Sequence, residues 1–299
     1  MNARQERESD LTLGYVGLGG MGAPMAMRLT GWPGGLTVYD VRDEAMAPLA
    51  AAGAAVAADL DQIATADLIS IAVLDDTQVR QVVSDLARHA QAGTIIAIHS
   101  TISDATAVEL ATHLGRQGIH VIDAPVSGGV VAAQSGQLAT MVGASREVYD
   151  RVKPVFGRWA SLVVHAGKPG AGTRMKLARN LITFTAFAAA CEAMGLAERA
   201  GLNLQDLGRV VRHTDALTGG AGAIMVRDTM AEIDPGHWLY DTFIHTRSLG
   251  EKDLSLALAL GESLDTDLPL ARRALRDLAA GLGVPHDPGS AQRRQTDDQ

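Results

Sequence analysis

The strongest constraint on this chain is an alternation. Between Leu11 and Ala166 short β-prone runs recur, separated by helix-length segments, an order that specifies a parallel sheet flanked by helices. The runs are LTLGYV (11–16), LTVYD (36–40), DLISIAVL (67–74), TIIAIHS (94–100), HVIDA (120–124), LATMVG (138–143) and LVVHA (162–166). Ser103 ahead of DATAVELATHL and Ser145 ahead of REVYDRVKPVF are helix-capping signals. After Gly167 the strand signal stops, and the chain reads as helices broken by Gly and Pro. At 299 residues there is room for two domains. The expected architecture is α/β: a doubly wound sheet over 10–169, an all-helical domain over 170–288, and a polar tail over 289–299 expected to be disordered.

A single helix joins the two parts. From Gly172 to Gly201 there is no Pro and one internal Gly, so the spacing predicts one element of about 30 residues and about 45 Å. Between Leu181 and Cys191 its only polar residues are Thr183 and Thr185. A helix apolar nearly all round calls for burial on most faces, in the helical domain or against another subunit. A homodimer or homotetramer is therefore expected.

Charge narrows the partners. With 34 acidic and 26 basic residues the net charge is -8, which repels phosphate and excludes a nucleic acid or an anionic membrane as the natural partner. The apolar run 180–191 is shorter than the roughly 20 residues that span a bilayer, and MNARQERESD at the start has no secretory character. The one cysteine, Cys191, lies in an apolar stretch and reads as a buried, inert thiol in a reducing cytoplasm. A small molecule is the expected ligand.

Three segments carry chemistry. Gly17, Gly19 and Gly22 form GLGGMG directly after the first strand and lead into Pro24, a first-turn helix residue. Glycines there permit a tight turn and close approach of a pyrophosphate to free backbone N–H groups. The second strand ends in Asp40, where an acid accepts hydrogen bonds from the adenosine ribose of a dinucleotide. At Asp123 a strand end leads into Ser127, Gly128 and Gly129, either a receptor for a carboxylate or a plain glycine-rich turn. Lys176 and Asn180 stand four apart at the start of the long helix and so share a face. A lysine there is either solvated or, in a partly dehydrated cleft at the positive end of a helix, able to trade a proton near neutral pH. Lys252 and Asp253 form a surface pair or reach the same cleft. Cys191 stands alone and the nine histidines show no close metal-ligand pair, so no metal is expected.

Taken together, GLGGMGAPMA, VYD, DAPVSGG with GQLATMVG, GAGTRMKLARN and the late KDL resemble the β-hydroxyacid dehydrogenase family, which includes 3-hydroxyisobutyrate dehydrogenase and tartronate semialdehyde reductase. The resemblance implies a Rossmann domain, a helical second domain and a long helix between them. It implies NAD as cofactor, with NADP as the alternative, bound by Gly17, Leu18, Gly19, Gly20, Met21, Gly22, Asp40, Val73, Leu74, Thr101 and Lys252. It further implies Ser127, Gly128 and Gly129 as contacts to a small carboxylate substrate, Lys176 as catalytic acid and base, and Asn180 as an orienting amide. The chain departs from the family pattern at Arg179, where an asparagine is usual, at Asp75–Asp76, where Pro precedes Asp, and at His99, where an acid is common. An imine reductase shares the architecture but replaces the lysine, a 6-phosphogluconate dehydrogenase has a longer helical domain, and a non-catalytic dinucleotide scaffold has no use for Lys176. His99, His120 and His165, near strand ends, are alternative bases that the resemblance does not support.

Overall fold

The computed structural model describes residues 11–286, and the tail expected over 289–299 lies outside them. By its contacts the chain divides into a unit ending at Asn180 and a second beginning at Leu181, a division that falls inside the long helix rather than at the change of pattern after Gly167.

In the first unit strands and helices alternate as β1 (Leu13–Val16), α1 (Gly22–Met27), β2 (Leu36–Tyr39), α2 (Asp43–Ala51), β3 (Ala55–Val56), α3 (Leu60–Ile63), β4 (Leu68–Ile71), α4 (Asp76–Ala87), β5 (Ile95–Ile98), α5 (Asp104–Gly115) and β6 (His120–Asp123). There follow β7 (Val126–Ser127), α6 (Gly129–Ser135), β8 (Leu138–Gly143), α7 (Arg146–Phe156) and β9 (Ala160–Gly167). The sheet order is β3-β2-β1-β4-β5-β6-β8-β7, with β9 on β8, and the pairs from β3 to β6 are all parallel. Ser103 and Ser145 cap α5 and α7 through bonds from the N–H groups of Ala105 and Val148, both 3.3 Å.

The sheet is not parallel throughout. β8 runs antiparallel to β6 and to the two-residue β7, because the stretch after β6 is spent on β7 and the seven-residue α6 and the chain turns back without a crossover. Both faces of the sheet are covered. Leu13, Tyr15, Ile95 and Ala97 pack on one side while Val16, Ile96 and Ile98 pack on the other, so the strands read as continuous apolar runs.

The long helix α8 (Ala171–Arg199) has 29 residues, followed by α9 (Leu204–Thr218), α10 (Tyr240–Ser263) and α11 (Pro269–Leu282). The core of the second unit is thin: Leu239, Phe243, Leu282 and Val284 form its buried apolar cluster, and α9 buries no residue. One expectation is narrowed here and another corrected. The apolar run of α8 is not covered by the chain itself, with Leu181, Phe184 and Phe187 each more than 60% exposed. Cys191, on the same run, is exposed rather than buried for the same reason. By length and composition α8 could cross a membrane, but its uncharged, largely apolar run, residues 180–191, measures about 18 Å against a hydrocarbon core of about 30 Å.

Candidate active site

In an open parallel sheet, ligands bind beyond the carboxyl ends of the strands, and there the turn after β1 opens. Gly17 has φ +89°, and a Cβ on it would stand 2.5 Å from the carbonyl oxygen of Ala72, at the end of β4. A Cβ on Gly22 would collide with the carbonyl oxygen of Gly17. Those two glycines serve close packing of turn, strand and helix. Gly19 and Gly20 differ, since a Cβ on either would meet nothing within 4 Å. Their backbone faces open space, and this cradle of bare main chain at the start of α1 fits a dinucleotide pyrophosphate.

Asp40 follows β2 and is 8% exposed. Its Oδ2 accepts from Leu18 N–H at 2.7 Å, and its Oδ1 from Arg42 N–H at 2.9 Å and Arg42 Nε at 3.3 Å. Burial alone would raise its pKa, but these donors and the Arg42 charge outweigh burial and hold the carboxyl ionised below the ordinary range. A carboxylate has about four acceptor positions, so Asp40 ties the glycine turn to β2 and keeps capacity for a ribose hydroxyl.

The loops after β4 and β5 flank the same edge. Ser100 donates to the carbonyl of Val73 at 2.5 Å, and the Ser103 N–H donates to Asp76 at 3.1 Å, so the two loops are tied together. Val73 is half-buried, whereas Leu74 and Thr101 are exposed. Asp75 caps α4 by accepting from Gln78 N–H at 2.9 Å, a structural use for the residue that departs from the family pattern.

His99 is buried as a structural group. One ring nitrogen is 2.8 Å from the Ala124 carbonyl and the other 3.0 Å from Ser70 Oγ, and the ring packs edge-on against Phe156 and Trp159. Burial takes its pKa down to about 4 despite the Ala124 carbonyl. With both nitrogens engaged it offers no base to a substrate. His165 likewise contacts the Ala144 carbonyl at 2.8 Å, and His120 is exposed.

The residue that sequence reasoning passed over is Asp123. It ends β6, is fully buried, and accepts from Gly170 N–H at 2.7 Å and Thr173 N–H at 2.6 Å, one bond on each oxygen. Those donors are the residue just before α8 and one in its first turn, so Asp123 caps that helix from 47 and 50 residues away. Gly143 and Gly172 make room for it, because a Cβ on Gly143 would strike the Asp123 carboxylate and one on Gly172 the Met141 carbonyl. A signal was present: Lys168, Pro169 and Gly170 precede a very long helix and include no capping side chain.

Lys176 lies one turn beyond that anchor and is 9% exposed. Desolvation by burial, and next the charge of Arg179, lower its pKa below the ordinary lysine value of 10.5. Asn180 is half-buried one turn further on. Ser127 is half-buried and Gly128 and Gly129 are exposed, with Ser127 held in register opposite Ala139. Gly128 and Gly129 have φ +135° and +78°, conformations that favour glycine and turn the chain into α6. Lys252 is exposed in the second unit and pairs with Asp253 at 3.2 Å. Among the described residues no three His, Cys, Asp or Glu side chains group as metal ligands.

A family model described as the NAD binding domain of 6-phosphogluconate dehydrogenase matches residues 12–167, and another, described as NAD-binding of NADP-dependent 3-hydroxyisobutyrate dehydrogenase, matches 170–287. The chain belongs to the β-hydroxyacid dehydrogenase family. As a member, it is an NAD(P)-dependent dehydrogenase. An uncharacterised oxidoreductase of Mycobacterium tuberculosis is 63% identical over 92% of this chain and 94% of its own. The 2-(hydroxymethyl)glutarate dehydrogenase of Eubacterium barkeri is 30% identical over 95% and 94%. A crystal structure of an oxidoreductase from Mycobacterium avium superposes on this hydroxyacid dehydrogenase with a TM-score of 0.90 at 70% identity, covering 92% of this chain and all of that one. The Mycobacterium tuberculosis 3-hydroxyisobutyrate dehydrogenase with L-serine gives 0.65 at 30% identity, covering 90% and 92%. An imine reductase from Myxococcus stipitatus gives 0.73 at 18% identity, covering 90% and 92%, a likeness of fold alone.

Proposed function

We propose that this dehydrogenase reversibly oxidises the alcohol of a small β-hydroxy acid of the 3-hydroxyisobutyrate type to the semialdehyde or keto acid, with Lys176 as the proton-transfer residue. The observation that carries this reading is a buried lysine with a lowered pKa, one turn into a helix whose start is pinned to the end of the sheet by Asp123. Alcohol oxidation needs a group that takes the hydroxyl proton, and the reverse reaction needs its return. A lysine that is easily deprotonated serves both directions. Asn180, on the same helix face, orients the hydroxyl by hydrogen bonding.

Ser127 Oγ and the backbone N–H groups of Gly128 and Gly129 hold the substrate carboxylate. Energy from that remote contact fixes the carbinol, so substrates lacking the carboxylate lose kcat as well as raise KM. Gly17, Leu18, Gly19, Gly20, Met21 and Gly22 cradle the pyrophosphate, Asp40 takes the ribose, and Val73, Leu74, Thr101 and Lys252 complete the cofactor contacts. The bound nicotinamide supplies the acceptor for the hydride that the carbinol carbon loses. Tartronate-semialdehyde-type acids are the second substrate class, and the name of the Eubacterium barkeri relative adds hydroxymethyl diacids. The reading includes a second copy of the chain over the exposed apolar run of α8, as a homodimer or homotetramer, and the single cysteine fits a cytoplasmic setting.

Lys176→Ala tests the mechanism. Loss of general acid–base catalysis is expected to cost about a hundred- to ten-thousandfold in kcat while NAD binding, read by fluorescence, persists. Near-full turnover with an unchanged pH profile, or loss of wild-type activity to a chelator, refutes the assignment.

A further inference from the structure

The loop after β5 runs through Thr101 into α5, and the turn after β9 runs through Gly170 into α8 and Lys176. These two segments are in contact. Asp104, the first residue of α5, accepts from Arg174 Nε at 2.7 Å, and the guanidinium holds that carboxyl below the ordinary range. A Cβ on Gly170 would stand 2.7 Å from Val108 Cγ2 and 3.4 Å from the Asp104 carbonyl oxygen. The backbone ahead of α8 therefore rests on the first turn of α5, and the ion pair closes over that contact. Asp104 is held from behind as well. Ser103 caps α5 and donates its N–H to Asp76 at 3.1 Å, and Ser100 donates to the Val73 carbonyl at 2.5 Å, so the loops after β4 and β5 move as one piece. Asp104 stands three residues after Thr101, and Arg174 two before Lys176.

We propose that Asp104 and Arg174 are positioning residues, an ion pair that sets the spacing between the cofactor-binding loops and Lys176. The inference rests on the reading above of Lys176 as the proton-transfer residue and of Val73, Leu74 and Thr101 as cofactor contacts. It adds the link through which one is placed against the other. The hydroxyl proton and the hydride leave adjacent atoms of one carbinol, so the groups that receive them must be correctly placed at the same time. Asp123 pins α8 at its start, through the N–H groups of Gly170 and Thr173, which fixes a point and leaves the helix able to turn about it. Arg174 supplies the second hold. At 100° per residue it lies about 160° around the helix from Lys176, so it grips the side turned away from the lysine. It acts through the helix backbone and not on the substrate.

The test uses Arg174→Ala, Asp104→Asn, the double variant and Arg174→Lys, assayed with 3-hydroxyisobutyrate and NAD. Each of the first two is expected to lower kcat about tenfold, the double variant no further, and Arg174→Lys to recover most of the loss, since a small misplacement is costly in rate and the two residues act as one. Melting temperatures should stay within about 4 °C of wild type, because an exposed pair adds little stability. Hydrogen exchange gives a readout that does not depend on turnover: NAD alone should slow amide exchange over residues 171–180 of wild type, and that slowing should vanish in either single variant. A kcat within about twofold of wild type, additive losses, or slowing at α8 that survives in the variants overturns the inference. So does an effect of charge alone. Removing Arg174 takes a cation from near Lys176 and raises its pKa, whereas removing Asp104 takes an anion and lowers it, so the pH profiles would move in opposite directions. Each of these results leaves the reading of Lys176 standing. Should Lys176→Ala keep its turnover, that reading falls and takes the inference with it.

Discussion

Asp123→Asn replaces one carboxylate oxygen by an NH2 group and leaves the shape almost unchanged. In the native chain each oxygen receives one backbone N–H, from Gly170 at 2.7 Å and from Thr173 at 2.6 Å, with the side chain fully buried. Asparagine has one acceptor oxygen, so one of those N–H groups must face a donor in a site that water does not reach. A hydrogen bond to a charged acceptor contributes about 1.5–3 kcal/mol, and an orphaned buried donor costs about 1–3 kcal/mol more. The expected loss is about 3–5 kcal/mol, or about 6–20 °C in Tm at about 2–4 °C per kcal/mol for a unit of this size. The site should suffer beyond its stability, because Lys176 is one turn from the broken cap and a displacement of about 1 Å can cost about a hundredfold in rate. Scanning calorimetry through the transition, and initial rates taken well below it, separate the two effects. An Asp123→Asn protein that melts within about 1 °C of wild type, with unchanged kcat, would show that α8 does not depend on this cap.

Three further outcomes follow from the geometry. Gly22→Ala should fail to fold or melt far earlier, since its Cβ meets the Gly17 carbonyl, whereas Gly19→Ala should melt like wild type yet bind NAD more weakly in a fluorescence titration. Loss of stability in Gly19→Ala would mean the turn is packed where it is read as open. His99 has a folded pKa of about 4 against an ordinary 6.5, so below pH 6.5 the unfolded chain binds a proton that the folded chain refuses. Urea melts should therefore show stability falling by up to roughly 3 kcal/mol between pH 7 and 4, and His99→Gln should flatten that slope by about one proton. Asp40 should make the enzyme favour NAD, and Asp40→Ser, with Arg42 retained, should turn the kcat/KM ratio toward NADP; a wild type that prefers NADP would show that Arg42 outweighs the carboxylate.

What could be read from the sequence was what local pattern encodes. Each of the seven β-prone runs coincides with a strand, and in β1, β4 and β5 the continuous apolar stretches report burial on both faces of the sheet. The glycine turn and Asp40 were legible for the same reason, being close in sequence to the strands that position them. β3 and β7, with two residues each, are too short for any periodicity to register, and the reversal at β8 depends on how the chain spends the segment after β6. The partners of Asp123 are 47 and 50 residues away and those of His99 are 25 and 29, so neither role has a signature beside the residue itself; for Asp123 the one trace is the uncapped start of α8. The apolar character of α8 was plain, but the chain leaves that run exposed, and the misreading of Cys191 as buried follows from that.

Two helices of this protein share one device, and it explains why Lys176 sits where it does. α8 begins after Lys168, Pro169 and Gly170, and α11 begins after Leu268 with a proline at its first position; neither start carries a capping side chain of its own. Each borrows a carboxylate. Asp123 serves α8, and Glu192, from the middle of α8, accepts from the N–H groups of Leu270 and Ala271 at 2.9 Å each at the start of α11. A local cap makes a helix start wherever its sequence says, whereas a borrowed one makes it start where another element stands. For α8 that element is the last residue of β6, at the same carboxyl edge of the sheet where the glycine cradle and Asp40 lie. The position of Lys176, the proposed proton-transfer residue, is therefore set by the sheet that carries the glycine turn, through the buried carboxylate of Asp123.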